Sequence, residues 1–179
     1  MLIESDTVLA IVDVQEKLVA AMRETTSLVA RLQTVVHGAR ILDLPVLWVE
    51  QYPRGLGRTI PELEELLEGF EPQSKSCFSA CGLAEFVEAL ESTGRRQVLL
   101  VGLESHVCVY QTAIHLLESG YHVEVVGDAV SSRTLENKEL GLRRMERAGA
   151  EITSVEMALF ELLGRSDRPE FKKLSKLVR

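Results

Sequence analysis

Short, predominantly apolar runs recur along the chain, at residues 8–12, 46–49, 98–101 and 123–126, and only Glu124 in the last interrupts them. Strands with one wet face alternate apolar and polar residues, so continuous runs of this kind imply strands buried on both faces. Between them, apolar residues recur at helical spacing, as in Leu28, Leu32, Val35, Ala39 and Leu42. Further helices are read at residues 83–90, 108–120 and 135–148, with a last strand at 151–154 and a last helix at 155–163. Residues 51–60 read as a loop, 62–67 as a short acidic helix, and a brief extended piece leads to Lys75. Strand and helix alternating in this way define an α/β fold, a parallel sheet covered on both faces, with right-handed crossovers. One domain over residues 1–164 is expected, followed by a basic tail, 165–179, that suits a docking arm and can add a helix.

The bulk properties exclude several classes. At 179 residues the chain suits one domain with a sizeable core, and 46% hydrophobic against 5% aromatic residues makes that core aliphatic. A net charge of −7 opposes nucleic-acid binding, which needs a basic footprint. No apolar run approaches the ~18 residues of a membrane span. The opening MLIESDTVLAIVD has neither a basic n-region nor a small-residue cleavage site. Three cysteines cannot pair fully, so a reducing cytoplasm is the expected compartment.

In open parallel sheets, ligands bind beyond the carboxyl ends of the strands, near the point where strand order reverses. Three reactive residue types fall at such ends: Asp13 after the first run, Lys75 after the third extended piece, and Cys108 at the start of the helix after run 98–101. A thiol at a helix N-terminus meets the positive end of the dipole, which favours thiolate and a pKa below the ordinary ~8.5. Each residue has a plainer reading. Asp13 serves equally as a turn or helix cap, Lys75 as a solvated charge, and Cys108 as a small buried apolar residue. Together, acid, amine and thiol supply a base, a cation and a nucleophile. Asp128, after the run at 123–126, rivals Asp13. His106 suggests a Cys–His pair, but such pairs are made by folding, not by sequence adjacency. Cys77 and Cys81 have no further ligands nearby to make a zinc site.

These segments resemble the isochorismatase-like cysteine hydrolases, in particular the isochorismatase domain-containing proteins. The resemblance rests on DVQ at 13–15, EQYPRGLGRTIPEL at 50–63, KSCFSA at 75–80, VGLESHVCVYQTA at 101–113 and GYHVEVVGDAVSSR at 120–133. It spans residues 7 to about 160. It implies three α/β/α layers with a six-stranded parallel sheet ordered 3-2-1-4-5-6. It also implies an Asp13–Lys75–Cys108 triad, an oxyanion hole from the backbone N–H groups of Glu104 and Cys108, and a cis peptide joining Leu103 to Glu104. Family members commonly form dimers or larger assemblies. Gln15 either fixes Asp13 or forms a turn. Gln15, Trp48, Tyr52 and Phe78 are candidates to line a substrate pocket, with core packing as the other reading of Trp48 and Phe78.

Two departures narrow the activity. Related nicotinamidases carry an Asp-x-His plus a second His as metal ligands after the second strand, whereas residues 48–57 read WVEQYPRGLG, without histidine. No metal or cofactor is therefore expected. True isochorismatases lack the nucleophilic cysteine, so Cys108 opposes vinyl-ether cleavage. The resulting expectation is a metal-independent hydrolase of a small amide or related C–N bond, acting on a small molecule through a Cys108 thioester. The alternative is a catalytically idle oligomeric binding protein of the same fold. A nucleotide-binding enzyme is disfavoured because no G-x-G-x-x-G or P-loop follows any run.

Overall fold

The structure, a computed structural model, describes residues 1–178. Strands β1 (Thr7–Val12), β2 (Val46–Gln51), β3 (Gln73–Lys75), β4 (Gln97–Leu103), β5 (His122–Ser131) and β6 (Glu151–Thr153) form one sheet. Its order is β3-β2-β1-β4-β5-β6 and every pairing is parallel, as the resemblance implied. The helices are α1 (Glu16–Ala21), α2 (Thr25–Ile41), α3 (Pro53–Leu56), α4 (Pro61–Glu64), α5 (Ala84–Ser92), α6 (Cys108–Glu118), α7 (Leu135–Arg147), α8 (Val155–Leu163) and α9 (Phe171–Leu177). Every residue of β1 and of β4 is buried, because helices cover both faces of the sheet.

Alternate β1 residues enter two separate cores. Leu9 and Ile11 join α2, α8 and Trp48 on one face. Val8, Ala10 and Val12 join α5, Val109 and Cys108 on the other. The period of two along a strand makes this division, and it assigns Cys108 and Trp48 to opposite faces. Residue Leu174 of α9 is fully buried against the first core, and the rings of Phe160 and Phe171 lie 6.3 Å apart. Among the described residues, no helix is long and apolar enough to cross a membrane.

One departure from the sequence reading bears on the site. The fifth strand runs to Ser131, past the Gly127–Asp128 interruption, with its pairing to β4 shifted between Leu100 and Gly102. Asp128 therefore lies within the strand, where it accepts the Val155 N–H at 2.9 Å and pairs with Arg31 at 3.5 Å. It anchors α8 and does not rival Asp13.

The close approach of β1 to β4 depends on Gly102. Its φ is +120°, and a Cβ built there would lie 2.0 Å from the Val12 carbonyl oxygen, a backbone atom that cannot turn away. Gly102→Ala should lower unfolding stability by about 3–5 kcal/mol, combining backbone strain with overpacking. The control Gly94→Ala, at φ +66° with nothing within 4 Å of the new methyl, should lose only about 1–2 kcal/mol. Urea midpoints of the two variants measured side by side check the difference.

Candidate active site

Chain order reverses between β1 and β4, and their C-terminal ends carry Asp13 and the loop to Cys108. Asp13 follows Val12 in the left-handed region, φ 54°, which Asp tolerates better than most residues. That turn sends the chain into α1 and leaves the carboxylate behind the strand ends with no exposure. Lys75 closes β3 in register with Gln51 of β2. Its ammonium group reaches back under the sheet edge to Asp13 Oδ2 at 2.7 Å, with neither side chain exposed. Three further acceptors complete its surroundings: Gln51 Oε1 at 2.7 Å, and the carbonyl oxygens of Phe78 at 3.0 Å and Cys77 at 3.2 Å.

Cys108 is the first residue of α6, whose N-terminus has no side-chain cap. Its thiol neighbours Asp13, whose Oδ1 is buried without a hydrogen-bond partner among the described residues. The Leu103–Glu104 peptide is cis. The Glu104 carbonyl accepts the N–H groups of Val107 at 3.0 Å and Val109 at 3.2 Å. Among the described residues, the N–H groups of Glu104 and Cys108 donate to no protein acceptor. The Glu104 carboxylate pairs with Arg133 at 3.0 Å at the exposed rim.

The electrostatics correct the expectation of a resting thiolate. Burial pushes the Cys108 thiol up to about 12, reinforced by the negative charge of Asp13, and Lys75 only partly opposes this. Burial likewise holds Asp13 up at about 6, against the lowering influence of Lys75. At neutral pH the resting set is therefore a thiol beside a carboxylate. The helix N-terminus and one shared cation do not outweigh desolvation and an adjacent anion. Cys81 is also pushed up, to about 11, by burial.

The remaining candidates separate clearly. Gln15 does not hold the Asp13 side chain. Its amide donates to the carbonyls of Gln51 and Gly57 at 2.9 and 2.7 Å and accepts the Gln51 N–H at 2.7 Å, latching β2 and the following loop to β1. Tyr52 and Phe78 are largely exposed, and their backbones flank Lys75. Trp48 is not brought to Cys108. It is buried in the opposite core, its indole N–H donates to Thr59 Oγ1 at 2.7 Å, and it borders a groove of about 720 Å³ beside the acidic Glu64, Glu65 and Glu68. His106 bonds Ser132 at 3.0 Å and His115 bonds Ser79 at 2.9 Å. His122, Glu124 and Glu151 bring possible metal-ligand atoms within 4.8 Å of one another, but at the N-terminal edge of β5 and β6, the far end of the sheet. The sequence reading missed Gln51, which follows the charged Glu50 at the polar end of β2 and carries no pattern that marks it.

The order β3-β2-β1-β4-β5-β6, with helices on both faces, defines an open parallel α/β fold of the isochorismatase type. The chain belongs to the isochorismatase family, whose sequence model, described as the isochorismatase domain, matches residues 7–157. Isochorismatase domain-containing protein 2 of Bos taurus is 39% identical over 176 residues, covering 97% of this chain and 83% of that protein. A solved structure described as the MAR1 ribonuclease of Caenorhabditis elegans is 38% identical, covers 99% of this chain and 91% of its own, and superposes with a TM-score of 0.94. YcaC of Escherichia coli, described as an octameric hydrolase of unknown specificity, is 25% identical with a TM-score of 0.94, over 98% of this chain and 88% of its own. YcaC of Pseudomonas aeruginosa, solved with hexane-2,5-diol and covalent acrylamide, is 25% identical with a TM-score of 0.93, over 98% and 90%.

Lys75→Met should destabilise the protein by about 3–5 kcal/mol, because it strands a buried carboxylate. Lys75 lowers the Asp13 pKa, so the deficit should be largest above pH 6, where wild-type Asp13 is ionised, and should shrink as pH falls. Adding Asp13→Asn should recover much of the loss. A double-mutant cycle by chemical denaturation at pH 5 and pH 8 measures both effects.

Proposed function

We propose that the chain is a metal-independent cysteine hydrolase that cleaves a small amide or related C–N bond through a thioester on Cys108. The observation that carries this reading is the buried Asp13 carboxylate neighbouring the Cys108 thiol, with Oδ2 bonded to Lys75 and Oδ1 left without a partner among the described residues. A base whose second oxygen is tied to a cation presents a single acceptor to a single donor. The covalent acrylamide held by the Pseudomonas aeruginosa relative, and the hydrolase description of the Escherichia coli one, support the same reading.

The thiol proton passes to Asp13 Oδ1 as the sulfur attacks the carbonyl carbon. The N–H groups of Glu104 and Cys108 receive the developing oxyanion, an effect worth about 2.7–4 kcal/mol per donor in a measured case. The C–N bond breaks, and Asp13 returns its proton to the departing nitrogen. Water then attacks the thioester, giving one proton to Asp13, which passes it to the leaving sulfur. Because the thiol stays protonated at rest, transfer is concerted with attack, and Lys75 holds the base without itself moving a proton. Tyr52 and Phe78 form the apolar rim past which a small substrate enters. No metal step is invoked because the chain offers a base, a nucleophile and oxyanion donors. Homo-oligomerisation belongs to this reading and is supported by the octameric relative.

A panel of small amides assayed for ammonia or amine release tests the proposal. Turnover should appear for at least one amide and vanish in Cys108→Ala. Its kcat/KM should fall as pH drops through about 6, where Asp13 gains a proton. Asp13→Asn should remove that limb and lower the rate by about 10²–10⁴-fold. Turnover that survives Cys108→Ala would sink the thioester. A wild-type Cys108 that is inert to iodoacetamide, with no turnover on the panel, would leave the idle binding protein as the better description.

A further inference from the structure

An ammonium group has three protons, and Lys75 has four acceptors between 2.7 and 3.2 Å. Nothing is left over for a substrate, so the group acts as a fixed charge whose position depends on those acceptors. Two are backbone carbonyls of the loop after β3. The other two, at the shortest distances, are Asp13 and Gln51.

Gln51 is tied at every polar atom. Its Oε1 accepts from Lys75, and its Nε2 donates to the Ser76 carbonyl at 2.9 Å. Its backbone N–H and C=O both bond the Gln15 side chain, two residues beyond Asp13. This one residue therefore connects the segment bearing the base to the residue bearing the cation. It does so as a neutral acceptor. The charged and titratable groups facing Asp13 are Lys75 from β3 and Cys108 from α6, with Glu104 facing Cys108 from the end of β4. A carboxylate at position 51 would add a second anion to a single cation.

We infer that Gln51 is a positioning residue for the hydrolytic centre: it holds the Lys75 ammonium on Asp13 Oδ2, so that Oδ1 faces Cys108, and it leaves Asp13 the sole anion paired with that ammonium. The inference rests on the reading of Cys108 as the nucleophile. Its consequence is an asymmetry between two substitutions of similar size. Gln51→Met removes the acceptor and lets the ammonium and carboxylate drift. Gln51→Glu keeps an acceptor oxygen but divides the cation between two carboxylates, which makes Asp13 easier to protonate.

The test needs no substrate. The rate of Cys108 alkylation by iodoacetamide is followed by mass spectrometry from pH 4.5 to 9 in wild type and in both variants, each checked for folding by circular dichroism. Wild type should show a plateau that falls through about pH 6, with Asp13 taking the thiol proton. The Met variant should lose about tenfold or more at the plateau. The Glu variant should keep a plateau but carry its acid limb to higher pH by about one unit. A purely structural role for Gln51 would leave the limb in place. Should the Met variant fail to fold, the Glu variant's limb decides the matter alone. Alkylation of wild type combined with an unshifted limb in the Glu variant, or with a Met plateau within threefold of wild type, overturns the role of Gln51 and leaves the nucleophile intact. Failure of wild-type Cys108 to label overturns the nucleophile, and this inference with it.

Discussion

Taking a carboxylate and an ammonium out of water is unfavourable by several kcal/mol per ion, and mutual attraction offsets this only when the remaining hydrogen-bonding capacity is met. The Lys75–Asp13 pair meets that condition on the lysine side, with four acceptors, and withholds it on the aspartate side, where Oδ1 has no partner among the described residues. On the proposed mechanism, this imbalance sets the chemistry. A fully satisfied pair would be inert, whereas an unsatisfied carboxylate oxygen beside a thiol is ready to accept a proton. Much of the surrounding structure serves the pair. The left-handed turn at Asp13, the register that sets Gln51 opposite Lys75, and the Gln15 latch all fix its geometry.

The sheet explains why the pair sits beside a cysteine at all. Asp13 and Lys75 are 62 residues apart, and their strands are separated in the sheet by β2. A long side chain such as that of lysine is needed to cover that distance. Cys108 arrives from the other side, through β4, because the chain returns to β1 after building β2 and β3. The tight contact at Gly102 keeps the ends of β1 and β4 close enough for the carboxylate and the thiol to feel each other.

Much of this was visible in the residues. The runs at β1 and β4 are aliphatic throughout, and a pattern without polar interruptions has few alternatives to a buried parallel strand. Asp13 and Cys108 could be picked out from their positions just past such runs. Their environment could not. Lys75 stands in a polar stretch, and its burial follows from acceptors that only the folded loops assemble. Gln51 looked like the first residue of a loop because its role depends on pairing with β3, a strand of three residues with little pattern. Hydropathy ends the fifth strand before Gly127, because it does not register that backbone pairing continues through a shift. The thiol's ionisation does not follow from sequence, because a helix terminus can be read there, whereas desolvation and a facing carboxylate cannot.

That three-residue strand has a consequence of its own. As β3 it forms one margin of the sheet and is paired only with β2. Sheet margins are the segments that open first in local, sub-global unfolding, well before the centre yields. When β3 detaches, the ammonium leaves with it, and the carboxylate behind β1 loses its counter-charge while the β1–β4 centre remains folded. On the proposed mechanism, opening of this margin would leave the thiol and the carboxylate in place and remove the cation that pairs with the carboxylate.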